Sequence, residues 1–482
     1  MRKKFDVIII GAGVVGAMIA RELSKYSLDV VVLEKGADVC SGTSKANSAI
    51  IHAGYAAPVG TVKGGLCHKG NMAYSQICRE LVVPFMRVGS FVCAMDVDEE
   101  EVLNELKANG DQREIPSLEI ISGKKAKELE PNISPRIKAA LYAPTAGIIN
   151  PFLLTFALYE SSGRNGVEYH LGKEVTRILS DNGWVKGVVA GEVEYYGDFV
   201  INAAGVYSDI ISGMVGDRSV ELNIVKGEYL VSDTAMGKLA ARILFPAPSK
   251  KSKGVLIAPT TDGNTLFGPT ARTAKSRDDT GTTSEGMSEI IEKTGKLIPD
   301  IDFKGMITSY AGLRAKDKSD DFVIGASSEV NGFINAAGIQ SPGLTAAPAI
   351  AETVLNALKE EGLTVRRQKK FYGGLAPKIK VAEMGLEDMD RLIASDPAYG
   401  RIVCRCETVS EGEIIDAVRE GATTTDAVKF RKRAGSGRCQ SGFCGPKVVE
   451  IIAREQKISM DKVTKRGMGS NILSGKLIKK WK

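Results

Sequence analysis

The sequence predicts an α/β fold that opens on a parallel β-α-β unit and closes on a small helical module bearing cysteines. Three observations predict it. A β-branched apolar run, Phe5 to Ile10, leads straight into three spaced glycines, a helical pattern and a second strand. Two later segments, ending at Gly205 and Gly338, each repeat a strand that runs into Asn-Ala-Ala-Gly. Four of the eight cysteines fall in the last 80 residues, separated by short helical patterns.

Phe5-Asp-Val-Ile-Ile-Ile10 has the continuous apolar character of a strand buried on both faces. Gly11-Ala-Gly13-Val14-Val15-Gly16 follows, then a helical pattern from Met18 to Lys25, a strand from Asp29 to Leu33, and Glu34. Gly11 supplies the tight turn, Gly13 lets a pyrophosphate approach the backbone, and Gly16 lets helix pack on strand. The helix amino terminus carries about half a positive charge towards such a phosphate. Glu34, some twenty residues past the glycines, is placed to accept hydrogen bonds from ribose hydroxyls. The whole unit in register predicts dinucleotide binding. A glycine-rich turn in an unrelated α/β protein is the alternative.

The 482 residues are enough for about three structural units. With 43% apolar and 25% charged residues, neither wholesale disorder nor a coiled rod is expected. Glycine, at 52 residues, is in excess and has no collagen period, which points to tight turns and close backbone approaches. The longest uncharged apolar run, Val7 to Ala20, is 14 residues, short of the roughly 18 to 20 that a membrane span needs. Although Arg2, Lys3 and Lys4 precede it, glycines interrupt the run and no cleavage site follows, so a secretory signal is not expected. Scattered and clustered thiols together argue for a cytoplasmic chain whose late cysteines hold metal or do redox chemistry. Net charge is +6, but residues 457–482 carry eight Lys or Arg against one acid, so the remainder is close to neutral. A nucleic-acid protein would be basic across a face, so no such partner is expected. The tail reads as a solvated segment, with docking on an acidic subunit or the inner face of an anionic membrane as the alternative.

After Glu34, the loop Ser41 to Gly54 is rich in small and hydroxyl residues that suit contact with a cofactor's phosphate and ring edge. The apolar helix starting near Gly343 begins beside a glycine turn, so its positive end can stabilise charge on a reduced flavin. These segments resemble the FAD-dependent oxidoreductases related to D-amino-acid oxidase over residues 5 to 360. Within that group the likeness is to L-2-hydroxyglutarate oxidases and to the flavin subunit of anaerobic glycerol-3-phosphate dehydrogenase. It rests on Asn47-Ser48-Ala-Ile-Ile-His52-Ala-Gly54, Thr145-Ala-Gly147, Asn202-Ala-Ala-Gly205, Lys226-Gly-Glu-Tyr229, Pro259-Thr-Thr-Asp-Gly263, Tyr310-Ala-Gly-Leu-Arg314 and Ser341-Pro-Gly-Leu-Thr345. The resemblance implies a Rossmann-like FAD domain in three stretches (1–80, 146–220 and 321–365). Interleaved with it would be a mostly β substrate domain (81–145 and 221–320). A linker (366–399), an iron–sulfur domain (400–456) and the basic tail would follow. It also implies FAD contacts at Gly11, Gly13, Val14, Val15, Gly16, Glu34, Lys35, Thr43, Ser44, Asn47, Ser48 and Val175. Further contacts would come from Ala203, Ala204, Gly205, Gly338, Ile339, Pro342, Gly343, Leu344 and Thr345.

Oxidising a secondary alcohol needs an acceptor for hydride, a base for the hydroxyl proton and a grip on the substrate's anion. Of three histidines, His52 lies in the loop assigned to the flavin and stands where the family has its histidine, as base or orienter; the alternative is a histidine that bonds only backbone. His68 and His170 are read as structural. A guanidinium can grip a carboxylate or phosphate with paired bonds, and the resemblance puts a substrate arginine at Arg314; a structural ion pair is the alternative. Lys226, Tyr229 and Arg272 are further candidates, since a phosphate dianion favours a second cation. Aerobic glycerol-3-phosphate dehydrogenases carry a lysine where this chain reads Ser341 to Thr345, which keeps a 2-hydroxy or amino acid open as substrate.

Cys404-Arg-Cys406, then 32 residues, then Cys439 and Cys444 make two close pairs suited to one metal centre, with zinc the alternative to iron–sulfur. Ser410 with Glu413 forms a capping-box pattern for a helix between them. The Cys-x-Cys opening is unusual for zinc ribbons. The spacing resembles the bacterioferritin-associated ferredoxin-like [2Fe-2S] domain, and Lys429, Arg431, Lys432, Arg433 and Arg438 would offset cluster charge. Together these imply a flavoprotein dehydrogenase of glycerol-3-phosphate type for a small anionic alcohol, working as an oligomer or complex. Its electrons would leave singly to a partner subunit or carrier. An electron-transfer subunit without substrate turnover is the remaining alternative.

Overall fold

In the computed structural model, which describes residues 4–248 and 254–475, the chain divides into two compact units. One comprises Met1–Leu33 and Cys40–Leu375; the other comprises Glu34–Val39 and Ala376–Lys482.

The first unit is built on two sheets. The strand Lys4–Ile10 is the sequence's β-branched run, and it pairs in parallel with Val30–Glu34 on one side and Val193–Asn202 on the other. Around them an eight-stranded sheet runs in the order Val175–Asp181, Trp184–Ala190, Val193–Asn202, Lys4–Ile10, Val30–Glu34 and Glu168–Leu171. Phe333–Ala337 adds in parallel to Val193–Asn202, and Val323–Ala326 pairs with it in turn. This sheet therefore draws strands from three separated stretches of chain. Helices Val14–Leu23 and Gly343–Glu360 pack against each other, with Ile19, Leu23, Ile350 and Leu358 wholly buried.

The second sheet has nine strands. Its spine is Leu222–Ser232, paired antiparallel along almost its whole length with Met306–Asp317. Thr265–Gly268, Leu256–Pro259, Ile243–Pro246, Ser90–Ala94, Ala139–Ala143 and Glu119–Ser122 complete it, with the short Arg272–Thr273 on the far edge. Alternation sends Phe91, Leu244, Ile257 and Phe267 to one face, packed with Ile290 and Leu297 of the helix Ser284–Leu297. The opposite face carries Val92, Ile243, Leu256 and Ala258, which pack with Ile50, Ala53 and Tyr55. That face covers the loop after the second Rossmann strand, and so positions the site. The fold is thus the expected interleaved α/β arrangement.

The second unit is small and helical. Helices Glu411–Arg419, Thr425–Lys432 and Gly445–Gln456 enclose Ile414, Ala417, Val428, Ile451 and Ile452. Ser410 and Glu413 form the expected reciprocal cap. The stretch 366–399, expected as a linker, divides between the two units. Its first part is held in the first unit, where Ser27 N–H donates to Arg366 O at 2.8 Å and Leu375 N–H to Glu80 O at 2.9 Å. Its later part forms the helix Leu386–Ser395 within the second unit. The segment from 457 is likewise folded in its described part: Val463 is wholly buried and Lys465 pairs with Asp426 at 2.8 Å. Lys476, Lys479, Lys480 and Lys482 of the proposed basic tail lie outside the described residues. Among the described residues no helix is long and apolar enough to cross a membrane.

Candidate functional site

The glycine turn is shaped by contacts that tolerate no side chain. Gly11 has φ +102°, and a Cβ there would lie 2.5 Å from Ala203 O. A Cβ on Gly16 would lie 2.0 Å from Gly11 O, which is why helix and strand can meet at this point. Gly13 is the N-cap of the Val14–Leu23 helix and offers no side-chain cap. The Val14 N–H donates to Ser44 Oγ at 2.8 Å. Val15 continues the first helical turn, and Lys35 stands exposed just after Glu34, whose Oε1 accepts the Gly36 N–H at 2.7 Å. A backbone cradle closed to side chains at the positive end of a helix fits a dinucleotide pyrophosphate.

The other expected flavin segments converge on the same unit. Ala203 N–H donates to Ile10 O at 3.0 Å, Ala204 follows, and Gly205 (φ +57°) opens a 3₁₀ turn. The two Asn-Ala-Ala-Gly repeats are neighbours: Asn202 and Asn335 are in register on parallel strands, and Asn202 Nδ2 donates to Asn335 Oδ1 at 2.9 Å. Gly338 has φ +65°. Ile339 lies against Gly343, and Pro342 is the N-cap of the Gly343–Glu360 helix. Val175 is buried at the start of its strand. Thr43 Oγ1 donates to Leu313 O at 2.7 Å, while Asn47 Nδ2 donates to Ser44 O at 2.8 Å and its Oδ1 accepts the Ala49 N–H at 2.8 Å. A Cβ on Gly312 would lie 1.8 Å from Ala46 O, so this loop rests directly on the second sheet.

His52 is half-buried at the centre of that contact. Its N–H donates to Thr345 Oγ1 at 2.9 Å, its carbonyl accepts from Asn71 Nδ2 at 2.8 Å, and its ring lies 5.9 Å from that of Phe245. Asn71 is itself held by Arg87 Nη1 at 2.7 Å, and the Tyr74 hydroxyl donates to Leu344 O. Asn71, Arg87 and Phe245 carry no sequence signal, because they reach His52 only through tertiary packing. On the sheet above, Tyr229 stacks on Tyr310 at 4.7 Å, and its hydroxyl lies 3.3 Å from Ser48 Oγ. Burial pushes the Tyr310 phenol well above its ordinary value, and as a neutral donor it bonds Asn47 O at 2.7 Å. Arg314 shares this face, being paired with Val225 two places from Gly227, and its Nη2 donates to Thr270 O at 3.2 Å.

Lys226 and Arg272 do not join Arg314. They are cross-strand partners, one residue out of phase with Val225, Gly227 and Tyr229, and strand alternation sends them to the opposite face. Lys226 is buried there, with Nζ 2.9 Å from Asp279 and 3.7 Å from Glu228; its hydrogen bond holds the Asp279 carboxyl below the ordinary range. Arg272 pairs with Glu289 at 2.9 Å. The second cation expected beside Arg314 is therefore supplied by neither. His170 sits in the first sheet, its Nδ1 3.0 Å from the Tyr195 hydroxyl.

In the second unit the four cysteines form two pairs. Cys406 and Cys439 are 3.8 Å apart between sulfurs and reach the surface, whereas Cys404 and Cys444 are buried, and the Cys444 side chain holds the Cys404 thiol below its ordinary value. Gly435 N–H points at Cys404 Sγ from 3.5 Å, and the Phe443 amide lowers the Cys439 thiol below its ordinary value. A tetrahedral zinc with bonds of about 2.3 Å would bring all four sulfurs within roughly 3.8 Å of one another. Among the described residues no three of these side chains gather about one point. Two thiol pairs fit a centre of two irons, each held by two sulfurs. Cys40, Cys67, Cys78 and Cys93 are buried, and burial pushes the Cys78 and Cys93 thiols up to about 12, as for packed side chains.

The chain is a flavoenzyme with an appended iron–sulfur module. Residues 6–357 match the FAD dependent oxidoreductase family, to which the chain belongs, and residues 402–454 match the BFD-like [2Fe-2S] binding domain. FAD and a [2Fe-2S] cluster are its cofactors. A glycerol 3-phosphate dehydrogenase from Caloramator mitchellensis is 46% identical over 98% of both chains. Subunit A1 of an anaerobic glycerol-3-phosphate dehydrogenase from Haloferax volcanii is 26% identical, covering 94% of this chain and 84% of its own. Among solved structures, the FAD-bound L-alpha-glycerophosphate oxidase of Mycoplasma pneumoniae superposes with a TM-score of 0.74 at 28% identity, over 78% of this chain and all of its own.

Proposed function

We propose that this chain is a dehydrogenase that oxidises sn-glycerol 3-phosphate to dihydroxyacetone phosphate and passes the electrons to a partner subunit or carrier. The observation that carries the reading is the likeness over the full length, both modules included, to a protein named for that substrate. FAD, when bound, would supply the acceptor for the carbinol hydrogen and its electron pair, and the iron–sulfur centre would supply transfer of electrons one at a time.

The chain's own groups supply the rest. His52, held at its amide by Thr345 and at its carbonyl by Asn71, presents its imidazole to take the hydroxyl proton. Arg314 grips the phosphate, its fork oriented by the bond from Nη2 to Thr270 O. Ser48 and Tyr229 add hydroxyls on the same face. Glu34, at the end of its strand, takes the ribose hydroxyls of the dinucleotide, and the strands that carry Tyr229 and Arg314 form the substrate domain.

Anaerobic mixing of the purified holoprotein with a panel of alcohols and amino acids tests this reading. Glycerol 3-phosphate is expected to bleach the flavin band within the first turnover. If 2-hydroxyglutarate bleaches it while glycerol 3-phosphate leaves it yellow, the substrate assignment fails; bleaching by none of the panel makes the chain an electron-transfer subunit.

A further inference from the structure

The second unit has a groove of about 600 Å³ beside its cysteines. Arg401, Arg405, Lys447 and Arg454 line it together with a single carboxylate, Glu411, and with Phe443. Arg405 lies between Cys404 and Cys406, and Phe443 directly precedes Cys444, so both are tied by sequence to the sulfur ligands. Glu411 is shared by two of the cations, at 2.7 Å from Arg401 and 2.8 Å from Arg454. Lys447 pairs with Glu450 at 3.0 Å, but both side chains are about half exposed, and such a surface pair holds its lysine weakly. Among the described residues no carboxylate pairs with Arg405. Arg454 also meets Glu455 at 3.2 Å, and Glu455 is shared with Arg419 at 3.3 Å. The four lining cations therefore meet three carboxylates, and the groove keeps a small positive surplus centred on Arg405. Phe443 is 88% exposed, an unusual place for a large apolar ring.

We infer that this groove is the docking site for an acidic one-electron carrier protein, which rests on the reading above that electrons leave through the C-terminal module. Three features point to that occupant. The surplus of positive charge selects an acidic face and steers its approach, an effect that falls off with salt. Phe443 lines the groove and is almost fully exposed, which suits an aromatic anchor for a surface larger than a small anion. Cys406 is the exposed ligand of the set, so a protein seated on Arg405 and Phe443 stands at the solvent edge of the redox centre. Docking makes and breaks no covalent bond, and its chemistry depends only on complementary charge and an apolar contact.

The test is surface plasmon resonance of the full-length holoprotein against two probes, oxidised flavodoxin and an acidic plant-type ferredoxin, with no substrate present. Saturable binding of at least one probe is expected, weakening at least tenfold between 20 and 200 mM salt as screening shortens the reach of the charges. Phe443→Ala, Lys447→Glu and Arg405→Glu should each weaken it, and Lys447→Glu with Arg405→Glu together by tenfold or more. Iron content and flavin bleaching by substrate should stay at wild-type levels in Phe443→Ala and Lys447→Glu. Binding that ignores salt or these substitutions, or no binding of either probe, overturns the inference. So does capture of the protein by phosphatidylglycerol vesicles through the same residues without binding of either probe. Because binding is read without turnover, failure of the glycerol 3-phosphate assignment would leave this result standing, and failure here would leave substrate bleaching intact.

Discussion

Thr345→Val isolates what holds His52 in place. Valine matches threonine in shape, so at this wholly buried site the lost hydroxyl bonds dominate the cost. What goes is the hydroxyl that accepts the His52 N–H at 2.9 Å and donates to Ile50 O at 3.3 Å. An orphaned buried amide costs about 1–3 kcal/mol, and the longer second bond adds about 0.5–1 kcal/mol. The sum is roughly 2–4 kcal/mol. With an unfolding entropy of about 2.1 cal/mol/K per residue, a unit of this size loses roughly 3–5 °C in Tm. If His52 takes the substrate proton, its displacement also slows flavin reduction by about ten- to a hundredfold, since each 1.36 kcal/mol is tenfold in rate. KM for glycerol 3-phosphate should move little, because Arg314 is untouched. Thr345→Ser keeps both bonds and should restore most of the rate. Stopped-flow reduction under nitrogen, with differential scanning calorimetry on the same samples, measures both effects. A valine variant that reduces its flavin at the wild-type rate and melts at the wild-type temperature would refute the role of this hydroxyl. Slow reduction in the serine variant as well would instead mean that the shape of the helix start matters, not its bond to His52.

Three further outcomes are expected. Arg314→Lys should raise KM for glycerol 3-phosphate by about ten- to a hundredfold, the loss of one charge-assisted bond, and an unchanged KM would remove Arg314 as the phosphate grip. Cys406→Ser should keep FAD and substrate-driven bleaching but lose the iron measured by elemental analysis; full retention of iron would count against Cys406 as a ligand. The Arg401 hydrogen bond, with Arg454 in support, holds the Glu411 carboxyl below its ordinary range. A carboxyl depressed on folding stabilises the native state above its unfolded value, near 4.3, and loses that contribution as pH falls through the folded value. Glu411→Gln should therefore lower the urea midpoint of the cluster's visible absorption at pH 7, with the gap to wild type closing below about pH 4. An equal gap at pH 7 and pH 3.5 would exclude the ion pairs as its source.

Local features were legible in the sequence. The Phe5–Ile10 strand, the Gly11-Gly13-Gly16 turn and the Ser410–Glu413 cap each depend on a few adjacent residues, so periodicity and backbone sterics suffice to place them. The repeated Asn-Ala-Ala-Gly could be seen as a repeat, but not that Asn202 and Asn335 would meet on parallel strands 133 residues apart.

By itself the sequence determined the two cofactor modules, because a phosphate cradle and a four-thiolate set are written in short, fixed spacings. Tertiary structure alone decided which side chains share a face. Lys226 and Tyr229 stand three residues apart on one strand, and the strand's two-residue period sends them to opposite sides, so Lys226 is committed to Asp279 while Tyr229 meets Ser48. Helix packing decided that Thr345 and Asn71 hold His52, and packing likewise decided that Cys406 is exposed while Cys404 is buried. Such choices are made by pairings between distant segments, where the free energy of burial outweighs anything that neighbouring residues can express.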